Sequence, residues 1–299
     1  MKSRFIISLF LLGIFQSILT FASDEIPPYY RVASSDKSIS DLIPAVKNAL
    51  TSANFEVIGE YNPGSNDDWY VIAFTRKDLQ DICLKVKDRG ALASVLKVGF
   101  VKKDGKTQVS FLNPMYLFYA YLMDEADTYK NQLTKVENDV KTAMNSVGTE
   151  MTGFGGGEEP DDLKDYHYMM MMPYFTDPVE LNTFSSFEEG LKIIRKNLEA
   201  QKGNAVKVYE VVFADQEIAV IGVGLLDAEE GESHFLPIIG PENIAAMPYE
   251  IIIQGKEATM LHGKYRFALH WPELSMSQFM KIVSTPGDVE DTLEGLTEN

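Results

Sequence analysis

Two segments of this chain follow the same order of sequence signals, and this internal repeat constrains the fold more than any other feature. The first segment opens with a helix-capping pattern at Ser38, and the second opens with the same pattern at Ser186. The apolar positions of the first helical pattern are Ile39, Ile43, Val46 and Leu50. Those of the second, 148 positions later in each case, are Phe187, Leu191, Ile194 and Leu198. Alternating strand patterns follow both helices, so the repeat predicts two similar structural units.

The ends of the two segments also match. Gly105-Lys106 predicts a hairpin turn, and Pro114 opens a helix nine residues after the glycine. Gly263-Lys264 has the same spacing to Pro272, which predicts a returning strand that contains Phe267, Leu269 and His270. The offset grows from 148 to 158, and we expect the ten additional residues between Asp227 and Met247.

The repeat predicts an α+β fold with two similar domains at 29–147 and 166–296, each in the order β-α-β-β-β-β-α. The opening strands are expected at Tyr29–Ala33 and Met169–Phe175. Between the domains, 148–165 is rich in glycine and acidic residues, a composition typical of an exposed linker.

Each of the two segments contains several conspicuous short motifs. In the first they are Val98-Gly99-Phe100, Gly105-Lys106, Val109-Ser110-Phe111 and Asn113-Pro114-Met115-Tyr116-Leu117. In the second they are Gly240-Pro241, Met247-Pro248-Tyr249-Glu250-Ile251-Ile252, Gly263-Lys264 and Trp271-Pro272.

With these motifs, the chain resembles the bacterial family known as domain of unknown function 302, over about 36–145 and 166–296. The resemblance implies that each domain is a curved antiparallel sheet with helices on one face. It brings no catalytic residues, and the tandem copies and glycine-rich linker depart from the family's usual single-domain form.

The first 22 residues have the pattern of a secretory signal peptide. Lys2 and Arg4 precede an apolar run, Phe5 to Leu19, and Thr20-Phe21-Ala22 places small residues at the cleavage positions. A membrane anchor is the alternative, but the run is shorter than the roughly 20 residues that cross a bilayer. We therefore expect cleavage near Ala22, export to the periplasm or the extracellular medium, and no transmembrane segment in the mature protein.

The charge of the chain argues against nucleic-acid binding. Its 27 basic and 44 acidic residues give a net charge of −17, which becomes −19 when Lys2 and Arg4 leave with the signal. Because nucleic-acid binding depends on Lys and Arg that neutralise phosphates, we do not expect a polyanionic partner.

The sequence predicts no metal and no cofactor. The four histidines, His167, His234, His262 and His270, form no paired metal-binding motif. His167 beside Met169–Met172 leaves a copper site open, since imidazole and thioether are soft ligands, although methionines that alternate on a strand can simply pack. The acidic runs 158–162 and 227–232 lack a calcium-binding pattern and suit solvated loops. The single cysteine of the chain, Cys83, has the spacing of a buried helical residue.

Catalytic motifs are equally lacking, and catalytic residues stay unknown. The chain has no phosphate-binding glycine pattern and no nucleophile elbow. Aromatic residues are the best candidates for ligand contact: Tyr116 and Tyr119 on the predicted helix after Asn113, and Trp271.

These observations favour a non-catalytic binding or interaction module for an unknown small molecule or protein, with a pocket free of converging titratable groups. A structural or assembly role would instead show an exposed apolar patch and no pocket. A carboxylate-based hydrolase would bring acids from distant segments into one pocket, one of them with a raised pKa.

Overall fold

The structure, a computed structural model, describes residues 25–299. The predicted signal peptide, residues 1–22, lies outside the described residues. The strands are β1 (Tyr29–Ser35), β2 (Glu56–Tyr61), β3 (Trp69–Thr75), β4 (Leu96–Lys103), β5 (Lys106–Leu112), β6 (Thr152–Phe154), β7 (Val179–Thr183), β8 (Ala205–Phe213), β9 (Ile218–Leu225), β10 (Tyr249–Gln254) and β11 (Glu257–Met260).

Helices separate the strands and follow them. They are α1 (Ile39–Ser52), α2 (Lys77–Cys83), α3 (Pro114–Leu122), α4 (Glu125–Thr128), α5 (Lys130–Asn145), α6 (Pro160–Lys164), α7 (Phe187–Glu199), α8 (Glu232–Ile239), α9 (Gly263–His270), α10 (Met276–Phe279) and α11 (Thr285–Thr297).

The strands form two antiparallel sheets, which confirms the predicted α+β class. The six-stranded sheet has the order β2-β3-β4-β5-β1-β6, and the five-stranded sheet has the order β8-β9-β10-β11-β7. Read from β2 and from β8, the first five strands of each sheet follow the same relative order along the chain. The helix α1 joins β1 to β2, and α7 joins β7 to β8 in the same way.

Local sequence signals explain where the repeated helices begin. The Ser38 side chain accepts a hydrogen bond from the Asp41 backbone N–H at 3.2 Å, and Ser186 accepts one from Glu189 at 3.2 Å. Asn113 caps α3 by accepting from the Met115 N–H at 3.2 Å, with Pro114 in the first turn. The predicted starts of these helices are confirmed.

The prediction around Gly263 is wrong. The hairpin between β10 and β11 turns at Gly255, where φ is +60°, and Gly263 instead begins α9 behind the capping residue His262. Phe267, Leu269 and His270 are therefore helical. Gly263 is small for another reason: a Cβ there would lie 2.9 Å from Cβ of Pro286, so its role is the close packing of α9 on α11.

The strand predicted at Met169–Phe175 is also absent from the described structure, and β7 starts at Val179. Pro173 cannot donate a sheet hydrogen bond, and Met171 has a φ of +71° that suits a turn. The Met172 N–H closes this turn on the Met169 carbonyl at 3.0 Å.

The expected linker, 148–165, is not a free tether. Its strand β6 pairs with β1 at the edge of the six-stranded sheet, and Glu158 bridges to Ile26. The side chain of Leu163 in α6 is buried. The segment is therefore attached to the first sheet through β6 and packs against α3 through α6.

The two sheets meet through β2 and β8, which both carry a register shift at the contact. The shifts fall between Val57 and Gly59 and between Lys207 and Tyr209. A Cβ on Gly59 would lie 2.1 Å from the Val208 carbonyl oxygen. Only a glycine fits this approach of the two backbones. Within residues 25–299, no helix is long and apolar enough to span a membrane.

Candidate functional site

An apolar groove of about 150 Å³ opens beside α9. We call it the methionine groove. Its lining residues are Tyr168, Met169, Met172, Lys264, Phe267, Ala268, Trp271, Leu274, Met276 and Phe279. They come from three stretches of chain: the turn before β7, the helix α9, and the residues that lead into α10.

The floor of the groove is rigidly held by α9. Phe267 and Trp271 lie one helical turn apart with ring centroids 5.8 Å from each other, and both are buried. The Trp271 indole N–H donates to the Gly240 carbonyl at 2.9 Å, which satisfies the polar atom of this buried side chain. The apolar faces of both rings remain available to line the cavity.

The rim is apolar and exposed. Eight large apolar side chains in the described chain are more than a third exposed, and seven of them belong to two short segments at the groove. These seven are Tyr168, Met169, Met170, Met171, Met276, Met280 and Val283. Met170 and Met171 are 85% and 96% exposed. A concentration of this kind marks a binding surface, because soluble proteins rarely expose contiguous apolar patches.

Of the three aromatic residues that the sequence predicts for ligand contact, one lines the groove and two are buried in the interior. Trp271 lines the groove, whereas Tyr116 and Tyr119 are buried within α3. The Tyr116 hydroxyl donates to the Leu269 carbonyl at 2.9 Å, and the Tyr119 ring lies 5.6 Å from the Lys164 ammonium. Ligand contact by these two tyrosines stays a prediction.

Sequence reasoning missed Met276, Phe279 and Met280. Met276 and Met280 are four residues apart, a spacing that usually marks the buried face of a helix. Here both side chains are exposed. A four-residue helix such as α10 gives too short a window for periodicity to separate a buried face from an exposed one.

A second group of polar side chains is buried between the sheets. We call it the inter-sheet seam: Lys97, Tyr209, Glu232, Glu250 and Arg266. Lys97 on β4 bonds Glu250 on β10, and the Tyr209 hydroxyl donates to the same carboxylate at 3.1 Å. Arg266 Nε lies 3.8 Å from the other Glu250 oxygen.

Glu232, in the first turn of α8, also joins the parts of the chain that carry the two sheets. Its carboxylate accepts from the Tyr61 hydroxyl at 2.9 Å and from the Gly64 backbone N–H at 2.8 Å. Burial raises the pKa of Glu232 to about 7, although these hydrogen bonds and Arg266 act in the opposite direction. Burial also lowers the pKa of Lys97 against the attraction of Glu250.

His270 adjoins the seam and is held neutral. Its Nε2 is 3.0 Å from the Tyr121 hydroxyl, and its carbonyl accepts from the Tyr29 hydroxyl at 2.9 Å. Burial, and then the charges of Arg266 and Lys97, hold the pKa of His270 well below its usual value. These contacts join strands and helices of both sheets, and they give the seam an architectural role.

Acidic residues surround an open depression of about 520 Å³ beside the groove. Glu158, Asp161, Asp162 and Asp165 line it together with His167 and Tyr168, and Tyr168 also lines the groove. Burial, followed by the charges of Asp162 and Glu25, raises the pKa of Glu158. These acids come from one stretch of chain and not from the distant segments that the hydrolase hypothesis requires.

Conventional metal-ligating side chains do not gather in the part of the chain described here. No group of three His, Cys, Asp or Glu residues in 25–299 is arranged to hold an ion. The rings of His167 and Tyr174 pack against each other in a tilted arrangement, with centroids 4.4 Å apart. Cys83 is buried on α2 as the sequence predicts, and burial raises the pKa of its thiol.

Comparison with known proteins gives a similarity in structure but none in sequence. No family model matches the chain, and no curated protein matches it. The crystal structure of an uncharacterized conserved protein, DUF302, from Bacillus stearothermophilus is similar to part of it, with 12% sequence identity and a TM-score of 0.35. The similarity covers 40% of this chain and 98% of the other. No residue role follows from a similarity of this size.

Proposed function

We propose that this chain is a non-catalytic interaction module that accepts a bulky apolar side chain of a partner polypeptide in the methionine groove. The observation that carries the proposal is the coincidence of the cavity with the exposed apolar residues. Seven of eight such residues in the described chain belong to the two segments that line the groove, and Tyr168, Met169 and Met276 line it directly. The eighth, Val212, lies on β8.

The size of the groove suits one side chain. Sites for drug-sized ligands occupy roughly 300–1,000 Å³, about two to seven times the 150 Å³ found here. An apolar cavity of about 150 Å³ takes a group of the size of benzene. An aromatic or branched aliphatic side chain therefore matches the space, and the exposed rim provides further contact area around it.

The methionines suit a surface that receives such an anchor. Their unbranched thioether side chains adapt to different apolar shapes. Binding energy in protein interfaces concentrates on a few apolar anchors that fill pockets, and surrounding contacts exclude water. The groove offers the pocket, and Met170, Met171 and Met280 offer the surrounding contacts.

The proposal includes the origin of the scaffold and its location. The shared strand order, and the register shifts that face each other at Gly59 and Val208, support two copies of one module joined at the seam. The signal pattern before Ala22 supports export to the periplasm or the medium.

A fluorescence titration tests the groove. Anilinonaphthalene sulfonate is a probe that gains emission on apolar surfaces, and we expect one saturable site on the wild-type chain. Ala268→Phe fills the groove with a side chain of its own and should abolish that site. Val212→Ser removes the exposed apolar side chain on β8 and should leave the site intact.

Two results would overturn the proposal. The first is equal probe binding by wild type and Ala268→Phe. The second is a concentration-dependent dimer in light scattering that Ala268→Phe dissociates, because the occupant would then be another copy of this chain.

A further inference from the structure

The methionines are distributed unevenly over the surface. The described residues contain 12 of the 13 methionines, and five of the 12 are exposed. All five, Met169, Met170, Met171, Met276 and Met280, belong to the two segments that line the methionine groove, and Met169 and Met276 line it directly. The exposed thioethers of the described residues are therefore confined to these two segments.

Three methionines line the cavity itself. Met169 and Met172 come from the turn before β7, and Met276 comes from the start of α10. Folding thus joins two methionine groups that are about a hundred residues apart in the sequence. Of these two groups, the prediction of no metal from the sequence considers only the first, Met169–Met172, and not Met276.

The chemistry of thioethers selects a particular class of ion. Thioether sulfur is a soft ligand that suits copper(I), whereas hard ions such as magnesium and calcium prefer oxygen. Unlike thiols and imidazolium, a thioether needs no deprotonation before it binds a metal. A cluster of methionines can therefore hold a soft ion over a wide range of pH.

The electrostatic surroundings favour a cation. The acidic depression with Glu158, Asp161, Asp162 and Asp165 shares Tyr168 with the groove. Carboxylates beside a groove raise the local concentration of cations without acting as ligands. Lys264, which also lines the groove, is exposed, so its ammonium can extend into solvent.

We propose that the methionine groove binds a soft monovalent metal ion, copper(I) in its biological form, with the thioethers of Met169, Met172 and Met276 as ligands. The site depends on the sulfur atoms and not on apolar shape, so it goes beyond the proposed docking function and is separable from it.

Calorimetric titration with silver(I), a soft ion that does not change its oxidation state, tests the proposal. All proteins carry Cys83→Ala, which removes a competing thiol. The variant M169L/M172L/M276L keeps side-chain volume and apolarity but removes three thioethers. The matched control M123L/M144L/M151L removes three thioethers elsewhere. We expect at least about tenfold weaker silver binding in the first variant and unchanged binding in the second.

Peroxide footprinting of the Cys83→Ala parent supplies a second readout that needs no methionine variant. Hydrogen peroxide transfers one oxygen atom to a thioether and leaves as water, so each sulfoxide adds the mass of an oxygen. Bound silver should protect Met169, Met172 and Met276, while Met170 and Met171 stay reactive. Unprotected ligands, or equal silver binding by the two triple variants, would overturn the metal site.

The two proposals fail in different ways. Because leucine preserves the apolar lining, M169L/M172L/M276L should still bind anilinonaphthalene sulfonate. Loss of silver binding together with retained probe binding is the predicted combination. Probe binding that is absent from wild type while silver binds would contradict the docking function and leave the metal site standing.

Discussion

The inter-sheet seam and the methionine groove distribute polarity in opposite ways. The seam buries charged side chains such as Lys97 and Glu250, whereas the groove leaves Met170 and Met171 in solvent. Both arrangements cost free energy by themselves, since buried charges lose hydration and exposed apolar groups forgo burial.

The difference between them lies in what satisfies each group. In the seam, Glu250 is bonded by Lys97 and Tyr209, so the protein itself completes the interaction. At the groove, Met170 and Met171 are left largely uncovered by their own chain. The seam therefore belongs to the architecture, and the groove is where an outside group can add contacts.

The largest expected effect comes from breaking the seam. Glu250→Ala leaves Lys97 and Arg266 buried without their carboxylate, and we expect a loss of about 3–5 kcal/mol in the free energy of unfolding. Glu210→Ala on β8, which removes the partly exposed pair with Arg195 of α7, should cost at most about 1 kcal/mol. Urea denaturation measures both, and similar losses would remove the distinction between buried and exposed pairs.

The backbone contact between the sheets gives the next effect. Gly59→Ala places a Cβ 2.1 Å from the Val208 carbonyl oxygen, so the strands must separate, at a cost of roughly 1–3 kcal/mol. Gly295→Ala in α11 meets no atom within 4 Å and should stabilise the helix by about 0.5–1 kcal/mol. Melting curves of the two variants should move in opposite directions.

The pH dependence of the free energy of unfolding tests the contribution of Glu232 to the seam. Its pKa of about 7 in the folded protein exceeds the usual 4.5, so its contribution is present below about pH 4.5 and is lost as the pH rises towards 7. The glutamine of Glu232→Gln does not ionise, so this variant does not lose stability in that way as the pH rises. Its side-chain oxygen still accepts a hydrogen bond from the Tyr61 hydroxyl. Its stability relative to wild type should rise by up to about 1.4 kcal/mol per pH unit in this window.

Denaturation at several pH values measures the difference between wild type and Glu232→Gln. His270, whose lowered pKa makes stability fall as pH drops below 6.5, is present in both proteins and cancels in the difference. Parallel profiles for the two proteins would show that Glu232 does not titrate in this window.

The smallest effect on stability belongs to the groove. Met276→Ser changes an exposed side chain and should alter the free energy of unfolding by no more than about 0.5 kcal/mol. The same change should weaken binding of anilinonaphthalene sulfonate, because it removes part of the groove lining. A large loss of stability with unaltered probe binding would assign Met276 to the core and contradict the account of the rim.

Local signals predicted much of the fold and little of the site. The caps at Ser38 and Ser186 depend only on residues within four positions of each serine, and the predicted starts of α1 and α7 are confirmed. Gly263 misled the prediction because glycine permits both a tight turn and close packing, and its contact with Pro286 is a tertiary fact. Lys97 and Glu250 are 153 positions apart, so no pattern in the sequence joins them.

The groove was predictable only in part. Trp271 is one of the aromatic residues that the sequence predicts for ligand contact, and it does line the cavity. Met276 and Met280 carry no local signal of exposure, since methionine is common in protein cores. Their meaning depends on their position beside Met169 and Met172, which only the folded chain provides.

Selection from a library of displayed short random peptides tests the central claim most directly. The mature wild-type chain should enrich peptides that share one bulky aliphatic or aromatic residue, and Ala268→Phe should fail to enrich them while Val212→Ser still does. Peptides without a common apolar residue, or equal enrichment by the filled groove, would contradict the assignment of the methionine groove as a docking site.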